Sequence, residues 1–256
     1  MTIAFCFLTY RDIENSQLWY NYLKNHLKDV NIYIHSKYPV KNYFFKKYRC
    51  KKIVPTVRKE HISIVHATLS LLHEAYLNKD NTHFIFICQA TIPLIPFNQL
   101  FNLINNSRRS FIKTFSDNCT FRYYALNNSF KNMYEKESFV KQHPNMMLIR
   151  KHVFLFLKNT QYLRAFNNLI CPDEHYFINI LRLNKLLHEV DDRQITFCNY
   201  NLNRTQGIVH NQLSVDNMKK IMAMGFLFIR KITNKTKINL YYYKYIYGTE
   251  TGKNSI

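Results

Sequence analysis

The chain alternates short apolar runs with longer stretches in which apolar residues recur every three or four positions. Ile3 to Leu8 is a continuous apolar run, which predicts a strand buried on both faces. Leu18, Trp19, Tyr22, Leu23 and Leu27 then fall at helical spacing within residues 13–27. Asn31 to His35 predicts a second strand, residues 36–52 an irregular basic and aromatic segment, and Ile53-Val54 a short strand at most. Ile62, Val65, Leu69, Leu72 and Tyr76 line one stripe of a helix over 61–77, and Thr82 to Cys88 predicts a third buried strand. Gln89 to Pro93 reads as the loop that leaves it. Further on, the pattern predicts helices over 97–104, 151–166 and 215–222, and strands over 110–115, 146–149, 194–197 and 226–229. Residues 116–145 read as a polar loop. The tail, with Tyr241-Tyr242-Tyr243 and then Gly248 to Ile256, shows no clear plan.

Alternating strands and helices predict an α/β fold with a mostly parallel central sheet flanked by helices, Rossmann-like in its layering. In such sheets ligands sit outside the carboxyl ends of the strands. Those ends here are Thr9-Tyr10-Arg11, His35-Ser36 and Gln89-Ala90-Thr91. The chain has 256 residues, no linker-like stretch and no internal repeat, so one domain is expected.

Composition changes the picture through charge. The formal net charge is +20, spread along the chain rather than gathered in an arm. Such a balance fits a polyanionic partner, an anionic membrane surface or a basic cleft for phosphates. Tyr43, Phe44, Phe45 and Tyr48 interleave with the basic residues of 41–52, which supports an alternative reading as a nucleic-acid-binding protein. No known nucleic-acid motif accompanies them, and nucleic acid is not the expected partner. Abundant Lys, Asn, Ile, Tyr and Phe also fit an AT-rich genome, microbial or of a large virus. Cys6, Cys50, Cys88, Cys119, Cys171 and Cys198 are widely spaced with no CxxC, against a zinc site or a disulfide scaffold; Cys6 and Cys88, in apolar runs, read as buried thiols. The N-terminus has no basic leader or cleavage site, and no apolar run approaches the ~20 residues of a membrane helix. A soluble, cytoplasmic protein is expected.

Glycine-rich phosphate loops (GxGxxG, GxxxxGK[ST]) and the GxSxG elbow are absent. His61 and His66 read as surface or core residues rather than ligands, and Asp191-Asp192 as a solvated turn. Two places hold chemistry. Cys171-Pro172-Asp173-Glu174-His175-Tyr176-Phe177 sets two carboxylates after a proline and before an apolar-periodic run, which predicts a helix starting there. Acids in a first turn complement the helix dipole; one of them is also suited to act as a rigidly held base. Arg230-Lys231 follows an apolar strand and suits a diphosphate, Arg through its fork and Lys as a point charge.

Seven stretches, in order, resemble the core-2/I-branching β-1,6-N-acetylglucosaminyltransferase family, whose relatives include peptide O-xylosyltransferases and a plant branch. They are Ile3 to Thr9, Ile32 to His35, Ile62 to Ala67, Phe84 to Leu94, Gln142 to Met147, Pro172 to Tyr176 and Phe226 to Lys231. The resemblance spans about residues 3 to 235 and is closest to the plant-like branch. It implies a GT-A-type fold and inverting transfer without a metal. It places the general base on Glu174 and the donor diphosphate on Arg230 and Lys231, with Thr9, Arg11, Ile34 and His35 bordering the nucleotide. Gln89, Thr91, Gln142 and Asp173 fall on the acceptor side. UDP-N-acetylglucosamine is the implied donor, UDP-xylose the next, and a glycan or glycoprotein the acceptor, with no other cofactor. A carbohydrate-binding protein with a dead site is the remaining alternative. The loop after the third strand, Gln89-Ala90-Thr91, lacks the family's usual acid, and the family's tryptophan before the Ser63 helix is absent. The membrane anchor and stem typical of the family's Golgi members are not expected here, so residence in that compartment does not carry over.

Overall fold

The computed structural model describes residues 1–57, 62–115, 120–133, 135–199 and 208–248. Its elements are β1 (Thr2–Thr9), α1 (Ser16–Leu23), β2 (Val30–Ser36), α2 (Ile62–Leu77), β3 (Asn81–Cys88), β4 (Thr91–Pro93), α3 (Phe97–Asn105), β5 (Ser110–Phe111), β6 (Thr114–Phe115), α4 (Thr120–Tyr124), α5 (Asn128–Lys131), β7 (Lys141–Gln142), β8 (Met147–Ile149), α6 (Arg150–Lys158), α7 (Tyr176–Leu183), β9 (Val190–Asp191), β10 (Thr196–Cys198), β11 (Gln212–Leu213), α8 (Val215–Ala223), β12 (Phe228–Arg230), β13 (Lys237–Ile238) and α9 (Leu240–Tyr247).

The main sheet has the order β2-β1-β3-β8-β5-β9. β1 pairs in parallel with β2 and β3, and β5 with β9, while β8 runs antiparallel to both its neighbours. This is the mostly parallel α/β sheet the pattern predicts. β1 is apolar at successive positions, so both of its faces require cover. Ile3, Phe5 and Phe7 pack with Leu18, Trp19 and Tyr22 of α1 in one core. Ala4 and Cys6 pack with α2, α6 and α7 in the other. The Trp19 ring meets Phe5 and Phe7 edge-on at 6.0 and 5.1 Å. Its indole N–H donates to the Thr91 carbonyl at 2.8 Å, which ties the main sheet to a second one, β10-β12-β4.

That second sheet corrects one expectation. Residues 91–93 are not loop: β4 pairs antiparallel with β12, a partner about 135 positions away that local pattern cannot reveal. Residues 110–115 split into β5 and β6, which belong to different sheets. The helix expected over 151–166 stops at Lys158, where Asn159 turns its side chain back to the Leu155 carbonyl (2.8 Å), and residues 160–166 continue as a 3-10 helix. The 116–145 stretch carries α4, α5 and β7 where it is described. Gly225, at φ +80, closes α8 in the left-handed conformation and turns the chain into β12.

The tail also has a plan that periodicity does not show. β13 pairs with β11, and α9 packs on the α1 core. Tyr242 is fully buried and donates its hydroxyl to the Pro93 carbonyl at 2.7 Å; Tyr247 donates to the Leu18 carbonyl at 3.0 Å. Cys6, Cys50 and Cys198 are buried free thiols; Cys171 is a half-buried one, and so is Cys88, against the expectation of an interior position. No helix among the described residues is long and apolar enough to cross a membrane.

Candidate functional site

The acidic pair does not open a helix directly. Cys171 adopts a left-handed conformation (φ 55), Pro172–Glu174 form a 3-10 turn, and His175 (φ −131) breaks the path before α7 begins at Tyr176. The expected helix start at Pro172 is thus displaced by one turn, because the apolar face of α7 has to point into the core from Tyr176 onward. Asp173 and Glu174 project from the turn in front of it.

His175 is fully buried and stacks on Phe139 at 5.0 Å and 11°. Its Nδ1 lies 3.0 Å from the Val140 carbonyl, which assigns the ring proton to Nδ1 and leaves Nε2 to accept from Arg122 Nη1 at 2.8 Å. Burial pushes this histidine down to about 4, with the Arg122 and Lys141 charges adding to the effect, so it is neutral. The same Arg122 Nη1 is 3.4 Å from Glu174 Oε2, and Lys141 Nζ is 3.3 Å from that oxygen. Both ion pairs fall on Oε2. The carboxylate is fixed on one side and keeps Oε1 on the other, with its side chain 23% exposed.

Asp173 is half-buried. Burial and the neighbouring Glu174 charge push its carboxyl up to about 6, opposed by Arg230 and Arg122. Arg230 therefore lies within electrostatic reach of the acidic pair, although the two are 57 residues apart. It ends β12, directly opposite Thr91 on β4 and Cys198 on β10. Its Nη1 donates to Asn145 Oδ1 at 3.3 Å. Lys231 follows, half-buried, with its carbonyl accepting the His210 N–H at 3.0 Å. His143 is buried and is pushed down to about 4 by burial, helped by the Arg230 and Lys141 charges.

At the carboxyl ends of β1 and β2 the arrangement differs from expectation. Ile34 is fully buried and His35 nearly so, with His35 Nε2 accepting the Val54 N–H at 2.9 Å. Helices cover both faces of the sheet, so in-strand side chains turn inward and only residues past the strand ends reach the surface. Thr9 is likewise buried, its hydroxyl donating to the Arg11 carbonyl at 2.6 Å. What emerges is an exposed pair, Tyr10 and Tyr38, edge-to-face at 4.9 Å. The Arg11 guanidinium lies 5.8 and 5.5 Å from the two ring centres, and Lys37 Nζ 5.6 and 5.9 Å.

Gln89 and Gln142 have partners inside the protein. Gln89 Oε1 accepts the Tyr10 and Arg11 N–H groups at 2.8 and 3.2 Å, shaping the loop after β1. Gln142 is fully buried, and its Oε1 accepts the Ile178 N–H of the first turn of α7 at 2.7 Å. The loop after β1 is also tied to the segment following Lys231: Asn15 Nδ2 donates to the Ile232 carbonyl (3.1 Å), and Asn234 N–H donates to Glu14 (2.9 Å). The strand-end cluster and the Arg230-Lys231 pair thus border one continuous region.

Other candidates resolve into structure. Asp192 takes Lys113 Nζ at 2.6 Å and the Thr114 N–H at 2.6 Å, and Asp191 faces Arg193 at 3.6 Å. His66 is exposed, and His61 lies outside the described residues. Ser110, His152 and Glu189 stand in a row (2.7 and 3.2 Å), but Ser110 is fully buried and accepts the Ile149 N–H, so it meets no substrate. Among the described residues no group of three or more His, Cys, Asp or Glu is placed to hold a metal ion. Of the four aromatic residues in the basic 41–52 stretch, Phe45 is core, Phe44 and Tyr48 are half-buried, and only Tyr43 (85%) is exposed.

The sequence gives no signal for Arg122 and Lys141 as partners of Glu174. Arg122 lies in a stretch whose pattern reads as loop, and nothing local connects it to Glu174. The His-Pro-Asn of 143–145 is a visible signal, assigned through the resemblance to the acceptor side.

No curated protein matches the sequence. Among solved structures, the apo WbbM bifunctional glycosyltransferase is similar at 11% identity and a TM-score of 0.44, over 90% of this chain and 45% of that one. This chain therefore spans less than half the length of that protein. A197 from STIV is similar at 17% identity and a TM-score of 0.28, over 60% of this chain and 68% of that one. The family profile described as Core-2/I-Branching enzyme matches residues 3–232, from the first strand to the residue after Lys231, and the chain belongs to that family.

Proposed function

We propose that the protein is an inverting, metal-independent glycosyltransferase that moves N-acetylglucosamine from UDP-N-acetylglucosamine to a hydroxyl of a glycan or glycoprotein acceptor. Glu174 Oε1 takes the proton of the acceptor hydroxyl as that oxygen attacks the anomeric carbon. The bond to the phosphate oxygen breaks on the opposite face, which inverts the anomeric centre. Arg230 and Lys231 stabilise the departing diphosphate by charge. The observation that carries this reading is the carboxylate held on Oε2 by Arg122 and Lys141, with Arg230 in electrostatic reach across the acidic pair. The exposed Tyr10–Tyr38 pair with Arg11 and Lys37 supports a nucleotide at the strand ends. The nucleic-acid alternative loses support, since three of its four aromatic residues are occupied in packing.

The test is a thermal-shift and hydrolysis screen against UDP-N-acetylglucosamine, UDP-xylose, UDP-glucose, UDP-glucuronic acid and GDP-sugars, with and without EDTA. A shift by UDP-N-acetylglucosamine that survives EDTA is expected. A response only to UDP-xylose replaces the donor, and a requirement for Mn²⁺ removes the metal-independent mechanism. Glu174→Gln is expected to lower kcat by ~10²–10⁴-fold with UDP affinity unchanged. Near-normal kcat in that variant moves the base elsewhere.

A further inference from the structure

Beside Arg230 stand three polar side chains that are almost completely buried: Thr91 and Asn145, each 1% exposed, and His143, 2%. Each has an atom with no hydrogen-bond partner among the described residues: Thr91 Oγ1, Asn145 Nδ2 and His143 Nε2. Buried polar groups are nearly always paired, so three in one neighbourhood need a cause. Their positions relative to Arg230 are set by independent contacts. Thr91 faces Arg230 across the antiparallel β4–β12 ladder, where directly opposed side chains share a face. Asn145 presents Oδ1 to Arg230 Nη1, which leaves Nδ2 as the remaining end of the amide. His143 Nδ1 lies 3.2 Å from the Asn145 N–H and 3.4 Å from the Asn145 carbonyl; the N–H contact is the shorter, and with Nδ1 accepting it the ring proton sits on Nε2.

The consequence is chemical. A guanidinium, an amide NH₂, an imidazole N–H and a hydroxyl gather in one place, the last three each with a buried polar atom that no protein group pairs among the described residues. Neutral donors around one fixed cation match an oxyanion, whose charge the cation balances and whose lone pairs the neutral groups satisfy. We infer that Thr91, His143 and Asn145 bind a phosphate oxygen of the nucleotide diphosphate alongside Arg230. This puts Thr91 and the His143–Asn145 turn on the donor side of the site. The naming of a nucleotide as ligand rests on the proposed function; the oxyanion site itself does not.

Two substitutions test it because they move stability and binding in opposite directions. Thr91→Val removes the hydroxyl and keeps the carbonyl that Trp19 uses. Asn145→Asp keeps an oxygen for Arg230 and replaces the unpaired NH₂ by a second acceptor. Calorimetric titration of the full chain with inorganic pyrophosphate and with UDP is compared with melting temperature. If the groups serve a ligand, both variants melt at or above the wild type, while affinity for both probes falls, about three- to tenfold for Thr91→Val and on the order of 30-fold for Asn145→Asp. Unchanged affinity in both variants overturns the inference, as does a wild type that binds neither probe. Binding of both probes without sugar transfer from any donor removes the transferase reading and leaves the oxyanion site standing.

Discussion

Asp173→Asn isolates the electrostatics of the acidic turn. In the folded protein Asp173 titrates near 6, against an ordinary value of 3.8, chiefly through burial and then through Glu174. The difference is about two pH units, and each unit is worth 1.36 kcal/mol. Partial exposure trims the full effect to about 2 kcal/mol. The direction follows from proton linkage. Between about pH 4 and 6 the folded state holds a proton that the unfolded chain has already released, so this group makes stability fall as pH rises through that window. His143 and His175 act the other way. Each is lowered from 6.5 to about 4, so each contributes stability that is present above 6.5 and lost as pH falls towards 4. The wild-type curve is their sum, and the variant removes only the falling component. Urea denaturation followed by circular dichroism at half-unit steps from pH 3.5 to 7.5 reads the difference. The Asp173→Asn variant should show no pH-dependent advantage below pH 4, gain through pH 6, and hold a constant lead of about 2 kcal/mol above it. A lead that does not change with pH, or one that shrinks as pH rises, refutes the burial of an ionised Asp173.

Two further outcomes probe separate parts of the molecule. Lys231→Ala should weaken UDP binding about tenfold with the melting temperature unchanged, measured by calorimetry and thermal shift; an unchanged dissociation constant takes the diphosphate role away from Lys231. Tyr242→Phe should cost about 1–2 kcal/mol in urea denaturation by leaving the buried Pro93 carbonyl without its donor, and no loss would show that α9 is not integral to the core.

The long apolar runs were readable because they obey one-dimensional rules. Ile3 to Leu8, Thr82 to Cys88 and the stripe from Ile62 to Tyr76 fall where β1, β3 and α2 lie, since each buries side chains at the period of its own geometry. The short strands β4 and β7 were not readable, and β5 and β6 read as a single strand over 110–115. Two or three residues carry no period, and their only support is a ladder to a distant partner. The tyrosines of α9 gave no stripe, yet Tyr242 and Tyr247 hold the helix through hydroxyl bonds to carbonyls at Pro93 and Leu18.

The candidate site divides along the same line. Asp173-Glu174 before an apolar run and Arg230-Lys231 after one are local signals, visible because composition changes abruptly at the end of an element. Which oxygen of Glu174 is held, and by what, depended on α4 and β7 bringing Arg122 and Lys141 to it from 52 and 33 positions away in the chain. That Thr91 and Asn145 belong with Arg230 depended on the β4–β12 ladder and one side-chain bond. The alternation of apolar and polar residues was enough to set the layered α/β sheet, because burial of each strand and helix face is dictated by its own residues. The assembly of the charged groups was decided only by tertiary structure, because hydrogen bonds and ion pairs act over about 3 Å in space and are indifferent to separation along the chain.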